Sequence, residues 1–182
     1  IQNGDHSVSE VAPGGASESE NKAIADGPQI ITTVQVTVTV DNPIGAADDA
    51  ARIADRFGGS VANRSEQAGS GSEPGNAQLT LRIPSASLNK ALDELKALGV
   101  ARDTSIFSTD VTAESQDLTA RITALQTSVD RLLDLLSKAS STDNLLAIES
   151  ALSDRQANLE SLESQKRNLD SQVQLSTISL YL

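Results

Sequence analysis

Residues 114–173 are ESQDLTARITALQTSVDRLLDLLSKASSTDNLLAIESALSDRQANLESLESQKRNLDSQV, and this stretch decides the architecture of the chain. Its apolar residues recur at alternating intervals of three and four, the a/d pattern of a coiled coil. The first set is Leu118, Ile122, Leu125, Val129, Leu132 and Leu136. The second set is Leu145, Ile148, Leu152, Leu159, Leu162, Leu169 and Val173. A polar run at 138–144 separates the sets, so the pattern predicts two helices joined by a turn.

The two sets also predict how the helices pair. If the chain folds back near residue 140, Leu136 lies opposite Leu145 and Leu118 lies opposite Leu162. The residue numbers in each apolar pair add to 280 or 281, so one antiparallel register fits every layer. We therefore expect an antiparallel two-helix coiled-coil hairpin that projects as an arm.

Three leucines are surplus to this seam, because a two-helix pair needs apolar residues only at a and d. These surplus leucines are Leu133, Leu135 and Leu146. With the seam residues Leu132, Leu136 and Leu145 they form a leucine-rich end, here called the tip site, about 40 Å from the base at ~1.5 Å per residue. Exposed contiguous apolar area often marks a contact surface. The tip site is therefore a candidate for binding a partner or a second copy, and the alternative is that these leucines fold over the turn as a cap.

Two seam positions are basic. Arg155 falls at a d position opposite Leu125, and Lys166 falls at an a position opposite Glu114. Such residues commonly set the register at some cost in stability, with the aliphatic stem packed and the charge at the edge. We prefer that interpretation to a functional charge.

The rest of the chain predicts a small sheet domain. Val34, Val36 and Val38 alternate with polar residues, which indicates a strand, and Asn42-Pro43 supplies a helix cap and a first-turn proline. Strands are predicted at 30–40, 60–67, 78–83, 104–111 and 175–182, and helices follow the first and third strands. The order β-α-β-β-α-β, then the hairpin, then β, predicts an α+β fold.

The first six elements match the ferredoxin-like plan. In that plan strands one and three are central and strand two is at an edge. An antiparallel hairpin returns the chain near its departure point, so we expect the final strand to pair antiparallel with the fourth. The predicted units are a disordered tether at 1–28, a sheet domain at 29–113 plus 174–182, and the coiled-coil hairpin at 114–173.

Composition excludes several partners. The net charge of the 182-residue chain is −11, which disfavours nucleic acid and direct adsorption on anionic lipid. There is no cysteine, so neither a disulfide framework nor a thiolate metal site exists. No apolar run is long enough to span a bilayer.

Candidates for chemistry are few. His6 is the single histidine and falls in the predicted tether. The carboxylates of Asp103, Asp110, Glu114 and Asp117 cluster in sequence at a strand-to-helix junction, and four such groups suit a hard cation if they converge. They lack the EF-hand spacing, so a solvated surface is the preferred interpretation. We expect no enzyme activity, no catalytic residues and no cofactor, because no nucleophile–base set is recognisable.

Several short motifs, in order, resemble an uncharacterised bacterial family. They are Phe57-Gly58-Gly59-Ser60-Val61, Leu79-Thr80-Leu81-Arg82-Ile83-Pro84, Leu98-Gly99, Thr109-Asp110-Val111-Thr112, Asp117-Leu118-Thr119-Ala120-Arg121 and Ser176-Thr177-Ile178. The resemblance covers about residues 30–182. It is to membrane-anchored envelope proteins and lipoproteins that share a domain of unknown function. It implies an extracytoplasmic domain, anchored by segments outside this chain, and it brings no catalytic residues.

The expectation is therefore an extracytoplasmic interaction module that binds another envelope protein or itself through the arm. The alternative is a ligand-sensing ectodomain that signals to a membrane helix after the last strand. An enzyme is the least favoured reading.

Overall fold

The structure is a computed structural model that describes residues 27–69 and 74–182. Its elements are β1 (Ile30–Thr39), α1 (Pro43–Arg56), β2 (Ser60–Gln67), β3 (Asn76–Pro84), a 3-10 turn (Ser85–Ser87), α2 (Leu88–Lys96), β4 (Val100–Asp110), α3 (Thr112–Lys138), α4 (Thr142–Gln174) and β5 (Leu175–Tyr181). The fold is therefore mixed α+β. Residues 1–26 of the predicted tether, with His6, lie outside the described residues, as do residues 70–73 of the β2–β3 loop.

Local sequence signals explain where the first helix begins and ends. The side-chain oxygen of Asn42 accepts a hydrogen bond from the Gly45 amide at 3.1 Å, and proline occupies the first turn. This satisfies one of the amides that a helix leaves unpaired at its start. Gly58 ends the helix with a φ of +73°, a conformation that glycine adopts without steric cost.

The five strands form one mixed sheet with the order β2-β3-β5-β1-β4. Strand β5 runs parallel to β1 and antiparallel to β3, and the β1–β4 and β2–β3 pairs are antiparallel. As predicted, β2 is an edge strand and β1 and β3 are interior. Strand β4 begins at Val100, four residues before the predicted start at Thr104.

The predicted pairing of the last strand with the fourth is wrong. Strand β5 lies between β1 and β3, so β1 separates it from β4 and the neighbours expected in a ferredoxin-like sheet are not adjacent. The spacing of packed helices explains why β5 does not lie next to β4. Packed helices lie about 8–10 Å apart, whereas neighbouring strands lie about 4.8 Å apart. A helical hairpin that leaves β4 therefore returns the chain two strand positions away, with β1 between.

One face of the sheet carries the main core. The alternating residues of β1, β3 and β5 pack there against α1 and α2, and Val34, Leu81 and Ile178 are fully buried. The 23 buried apolar residues in the described part of the chain are all Ala, Val, Ile or Leu, in keeping with a composition that has 2% aromatics. The free energy of folding therefore comes chiefly from aliphatic burial on this face.

The other face of the sheet receives the base of the arm, meaning α3 and α4. Ile31 of β1 packs with Val111, Leu118 and Leu169 in a second small core. Polar contacts reinforce it: Arg82 Nη2 donates to Ser171 Oγ at 3.2 Å, and Ser85 Oγ donates to the Val173 carbonyl at 2.7 Å. These contacts fix the orientation of the arm relative to the sheet.

Candidate functional site

The arm consists of two long helices in mutual contact, joined by residues 139–141. None of the predicted seam residues is exposed: each is buried or half-buried, with Leu118, Val129, Leu159 and Leu169 the most enclosed. The Ser141 hydroxyl starts α4 by accepting a hydrogen bond from the Asn144 amide at 3.3 Å. The turn is thus locally capped and presents the ends of both helices.

The surplus leucines are exposed. Leu133 is 45%, Leu135 is 53% and Leu146 is 61% exposed, whereas the seam members of the tip site, Leu132, Leu136 and Leu145, are half-buried. The surplus leucines therefore do not close over the turn as a cap. The tip of the arm presents apolar surface that the intramolecular packing does not use.

An ion pair lies beside this apolar end. Lys138 Nζ lies 2.6 Å from Asp134 Oδ2 on the same helix, and both side chains are about two-thirds exposed. An exposed i,i+4 pair of this kind contributes only about 0.3–0.5 kcal/mol. The pair is solvated and lies beside the leucines.

The basic seam residues have different environments. Arg155 is exposed, so it does not occupy the seam interior as a packed d residue would. Lys166 is partly buried and forms an ion pair with Asp170 on the next turn, while Glu114, its expected neighbour, is exposed. The charge of Lys166 is therefore compensated within α4.

The four carboxylates proposed for a cation do not form a binding group. Asp103 and Asp110 lie seven residues apart on β4, which is roughly 23 Å along a strand. Across residues 27–69 and 74–182, no three His, Asp or Glu side chains are arranged to hold a metal ion. Their spacing in sequence does not translate into convergence because a strand extends the chain.

Asp110 has a structural role at the junction of β4 and α3. Its Oδ1 accepts hydrogen bonds from the Thr112 hydroxyl at 2.6 Å and the Thr112 amide at 2.9 Å. These two bonds hold the pKa of Asp110 below its ordinary value of 3.8. The Thr112 hydroxyl also accepts a bond from the Gln29 amide at 2.8 Å, so the start of β1 is tied to the base of the arm.

A shallow groove of about 600 Å³ runs between the two helices of the arm. It is lined by Arg121, Ala124, Leu125, Asn158, Ser161, Leu162 and Gln165. Both helices contribute to it, and it lies nearer the base than the tip site. The groove is open to solvent and mixes apolar and polar side chains.

Strand β4 holds exposed apolar residues that the sequence reasoning did not identify as a site. Val100 is 60%, Ile106 is 54% and Phe107 is 58% exposed. The available signal was the stretch 104–109, which contains no charged residue, proline or glycine although it lies in a strand. Exposed edges of sheets normally carry such protective residues.

The chain matches a family model, described as Domain of unknown function (DUF4349), over residues 28–182. It belongs to this family. The match covers both the sheet and the arm, so the two are parts of one family domain. Comparisons with curated proteins and with solved structures gave no significant match. Among the helices in the described part of this family member, none is long and apolar enough to cross a membrane.

Proposed function

We propose that this protein is a non-catalytic, extracytoplasmic interaction module, whose arm binds a protein partner through the tip site. The observation that carries the proposal is the exposure of the three surplus leucines, at 45%, 53% and 61%. Helix pairing does not need them, yet they are concentrated at the end of the arm farthest from the sheet. Envelope localisation, with membrane anchors outside this chain, rests on the resemblance of the sequence motifs.

In the proposed coiled coil, the three surplus leucines lie on two sides of the arm. In the coiled-coil register, Leu133 occupies an e position and Leu146 a b position. Position b borders position e on the helix surface, and the e flanks of antiparallel helices face the same side, so this register places both residues on one side of the arm. Leu135 occupies a g position on the opposite flank. A partner that grips the arm end from both sides, or inserts it into an apolar cleft, would contact all three.

The energetic scale is adequate for specific binding. Complete burial of a leucine stabilises by about 1.5–3 kcal/mol, and roughly half of each side chain is already covered. Burial of the remaining surface of three leucines would therefore contribute about 3 kcal/mol. That is on the order of a hundredfold in affinity, which is the scale of a hot spot within a larger contact.

The sheet domain serves, in this proposal, as a mount. We interpret it as a ferredoxin-like sheet with β5 inserted between β1 and β3, which fixes α4 by a direct continuation into β5. The base contacts of Leu118 and Leu169 then leave only the distal half of the arm free to bind.

Site-specific photocrosslinking tests the proposal in the native cell. A photoreactive residue is placed at 133, 135 or 146, and at the exposed control positions Ala120 and Ser153 on the same helices. We expect one common adduct from the three tip positions and none from the controls. A purified partner should then lose at least about tenfold in affinity for the Leu133→Ser/Leu135→Ser/Leu146→Ser variant. Equal adducts at tip and control positions would contradict the proposal.

Ligand sensing is the second candidate. Strand β5 follows α4 without an intervening loop, since α4 ends at Gln174 and β5 begins at Leu175. A ligand that moves the arm would therefore act on the last strand directly. A thermal-shift screen of envelope metabolites and cations separates the candidates, because a reproducible stabilisation that scales with ligand concentration favours sensing.

A further inference from the structure

We propose that β4 is a self-association surface, at which two copies of this chain pair edge to edge into one continuous sheet. Strand β4 is the outermost strand beside β1, and nine of its eleven residues are exposed. Its outer edge therefore presents backbone amides and carbonyls that the described fold leaves for solvent or for another strand. This surface is separate from the tip site and independent of it.

The two edge strands of the sheet, β2 and β4, differ in charge and in regularity. Edge strand β2 is charged and irregular. Its residue Arg64 forms ion pairs with Asp48 and Glu66. The pairing of β2 with β3 also shifts register near Val61. Such charges and irregularities discourage strand addition. Strand β4 has its single irregularity at one end, near Arg102, and the stretch 104–109 is regular and uncharged. The edge protected against pairing is β2, and the edge suited to it is β4.

The occupant is a second copy because β4 is complementary to itself. Antiparallel pairing about a two-fold axis perpendicular to the sheet gives an isologous contact. If Ile106 lies on that axis, Thr104 of each copy is placed opposite Ser108 of the other. Arg102 lies at the register shift and donates from Nε to Thr39 Oγ1 at 3.1 Å, and its exposed guanidinium is brought to the same end of the contact as Asp110 of the other copy. A shift by one step that centres Phe107 removes both charge pairs, and centring Asp103 brings two like charges together. The register centred on Ile106 therefore joins opposite charges at both ends.

The same register uses the exposed apolar residues. Ile106 would pack against its own copy across the axis, with a Cβ–Cβ distance of about 4.5–5.5 Å. Phe107, on the opposite face of the strand, would pack over Ser105 of the second copy. Because the paired strands run in opposite directions, the two arms project from opposite ends of the joined sheet. Each tip site therefore stays free for its own partner.

Single-cysteine crosslinking of the 182-residue chain measures this contact directly, because these 182 residues contain no cysteine. Under mild oxidation Ile106→Cys should form a disulfide-linked dimer. Val100→Cys is the matched control: it is on the same strand and 60% exposed, but in this register it lies about 40 Å from its own copy. A mixture of Thr104→Cys and Ser108→Cys should give the mixed dimer in preference to either homodimer.

A non-covalent experiment accompanies the crosslinking. Sedimentation equilibrium should show a monomer–dimer equilibrium for the natural chain. Ile106→Lys should raise the dissociation constant at least about tenfold, since two like charges would meet on the axis, while Val100→Lys should have little effect. Circular dichroism checks that both variants are folded. A chain that stays monomeric, or that crosslinks equally at residues 100 and 106, overturns the proposal, and a dimer lost only with the surplus leucines assigns association to the tip site instead.

Discussion

Gly99 lies in the short connection between α2 and β4, immediately before Val100, and the end of β1 packs closely against it. A Cβ atom built at Gly99 would overlap the carbonyl oxygen of Thr39 and lie 2.7 Å from Val40 Cγ1. The oxygen belongs to the last residue of the interior strand β1, so it cannot move aside without disturbing the sheet. The glycine is therefore required by close approach of two chain segments.

We expect Gly99→Ala to lower the free energy of unfolding by about 1–3 kcal/mol, the usual cost of overpacking. Gly27→Ala is the control, because no heavy atom lies within 4 Å of a Cβ at that position. Chemical denaturation of both variants gives the comparison. Equal stability of the two would show that the sheet accommodates the added methyl group.

Asp110 contributes stability in a defined pH range. Because its pKa is lowered in the folded protein, the contribution is present above the ordinary pKa of 3.8 and is lost as the pH falls through the lower folded value. We expect Asp110→Ala to lower the melting temperature at pH 7. The difference from the natural chain should shrink as the pH falls from 3.8 through the lower folded pKa of Asp110, because the carboxylate of the natural chain then becomes protonated.

Thermal melts of Asp110→Ala between pH 2.5 and pH 7 test this dependence. Asp103→Ala is the control, an exposed aspartate on the same strand for which the described structure shows no side-chain hydrogen bond. It should alter stability by no more than about 0.5 kcal/mol. A pH-independent effect of Asp110→Ala would mean that the lost packing, and not the charge, is responsible.

The conformation of a residue could be predicted from the sequence where one local interaction decides it. Asn42 and Gly58 adopt the cap and the turn that their residue types favour. The environments of Arg155 and Lys166 were not readable, because they depend on the rotation of each helix within the pair. A period of 3.5 residues assigns a heptad position but does not fix how far a long side chain reaches toward solvent.

Helix and strand patterns predicted every regular element of the described chain to within a few residues, except that β4 starts earlier and a 3-10 turn precedes α2. The first residues of β4, Val100-Ala101-Arg102-Asp103, are all exposed and show no alternation. The position of β5 within the sheet could not be predicted from the sequence either. Its alternating Ile178 and Leu180 indicate a strand with one buried face, but not which strands lie beside it.

The arm provides a contrast between two leucines on the same helix. Leu159 is buried at 9% exposure in the seam, whereas Leu146 is 61% exposed at the tip. We expect Leu159→Ala to destabilise the chain by about 2–3 kcal/mol through lost burial and a small cavity. Leu146→Ala should change stability by less than about 0.5 kcal/mol.

Urea denaturation of the two variants, followed by circular dichroism, gives both values. The pair is matched in chemistry, so the difference reports packing alone. Similar losses for Leu159→Ala and Leu146→Ala would mean that the tip is packed as tightly as the seam. In that case the apolar tip would be part of the fold and not a surface for a partner.

At the scale of the whole molecule, the roles that we propose for the sheet and the arm can be tested separately. The base of the arm packs on the sheet through Leu118 and Leu169, and the tip site lies beyond these contacts. Replacement of residues 130–150 by a short Gly-Ser turn should therefore leave a folded, cooperatively melting protein. That variant should lose the tip-dependent partner and keep β4-mediated dimerisation, as measured by crosslinking and light scattering. Loss of the fold itself would show that the distal arm is needed for stability.

Binding of a protein partner by the exposed leucines at the end of the arm can be measured by quantitative photocrosslinking in the cell, at residues 133, 135 and 146 against residues 120 and 153. We expect one adduct of the same mass from all three tip positions, at least about tenfold above the control positions. Adduct yields that are equal at tip and control positions, or absent from the tip, would contradict the proposed binding.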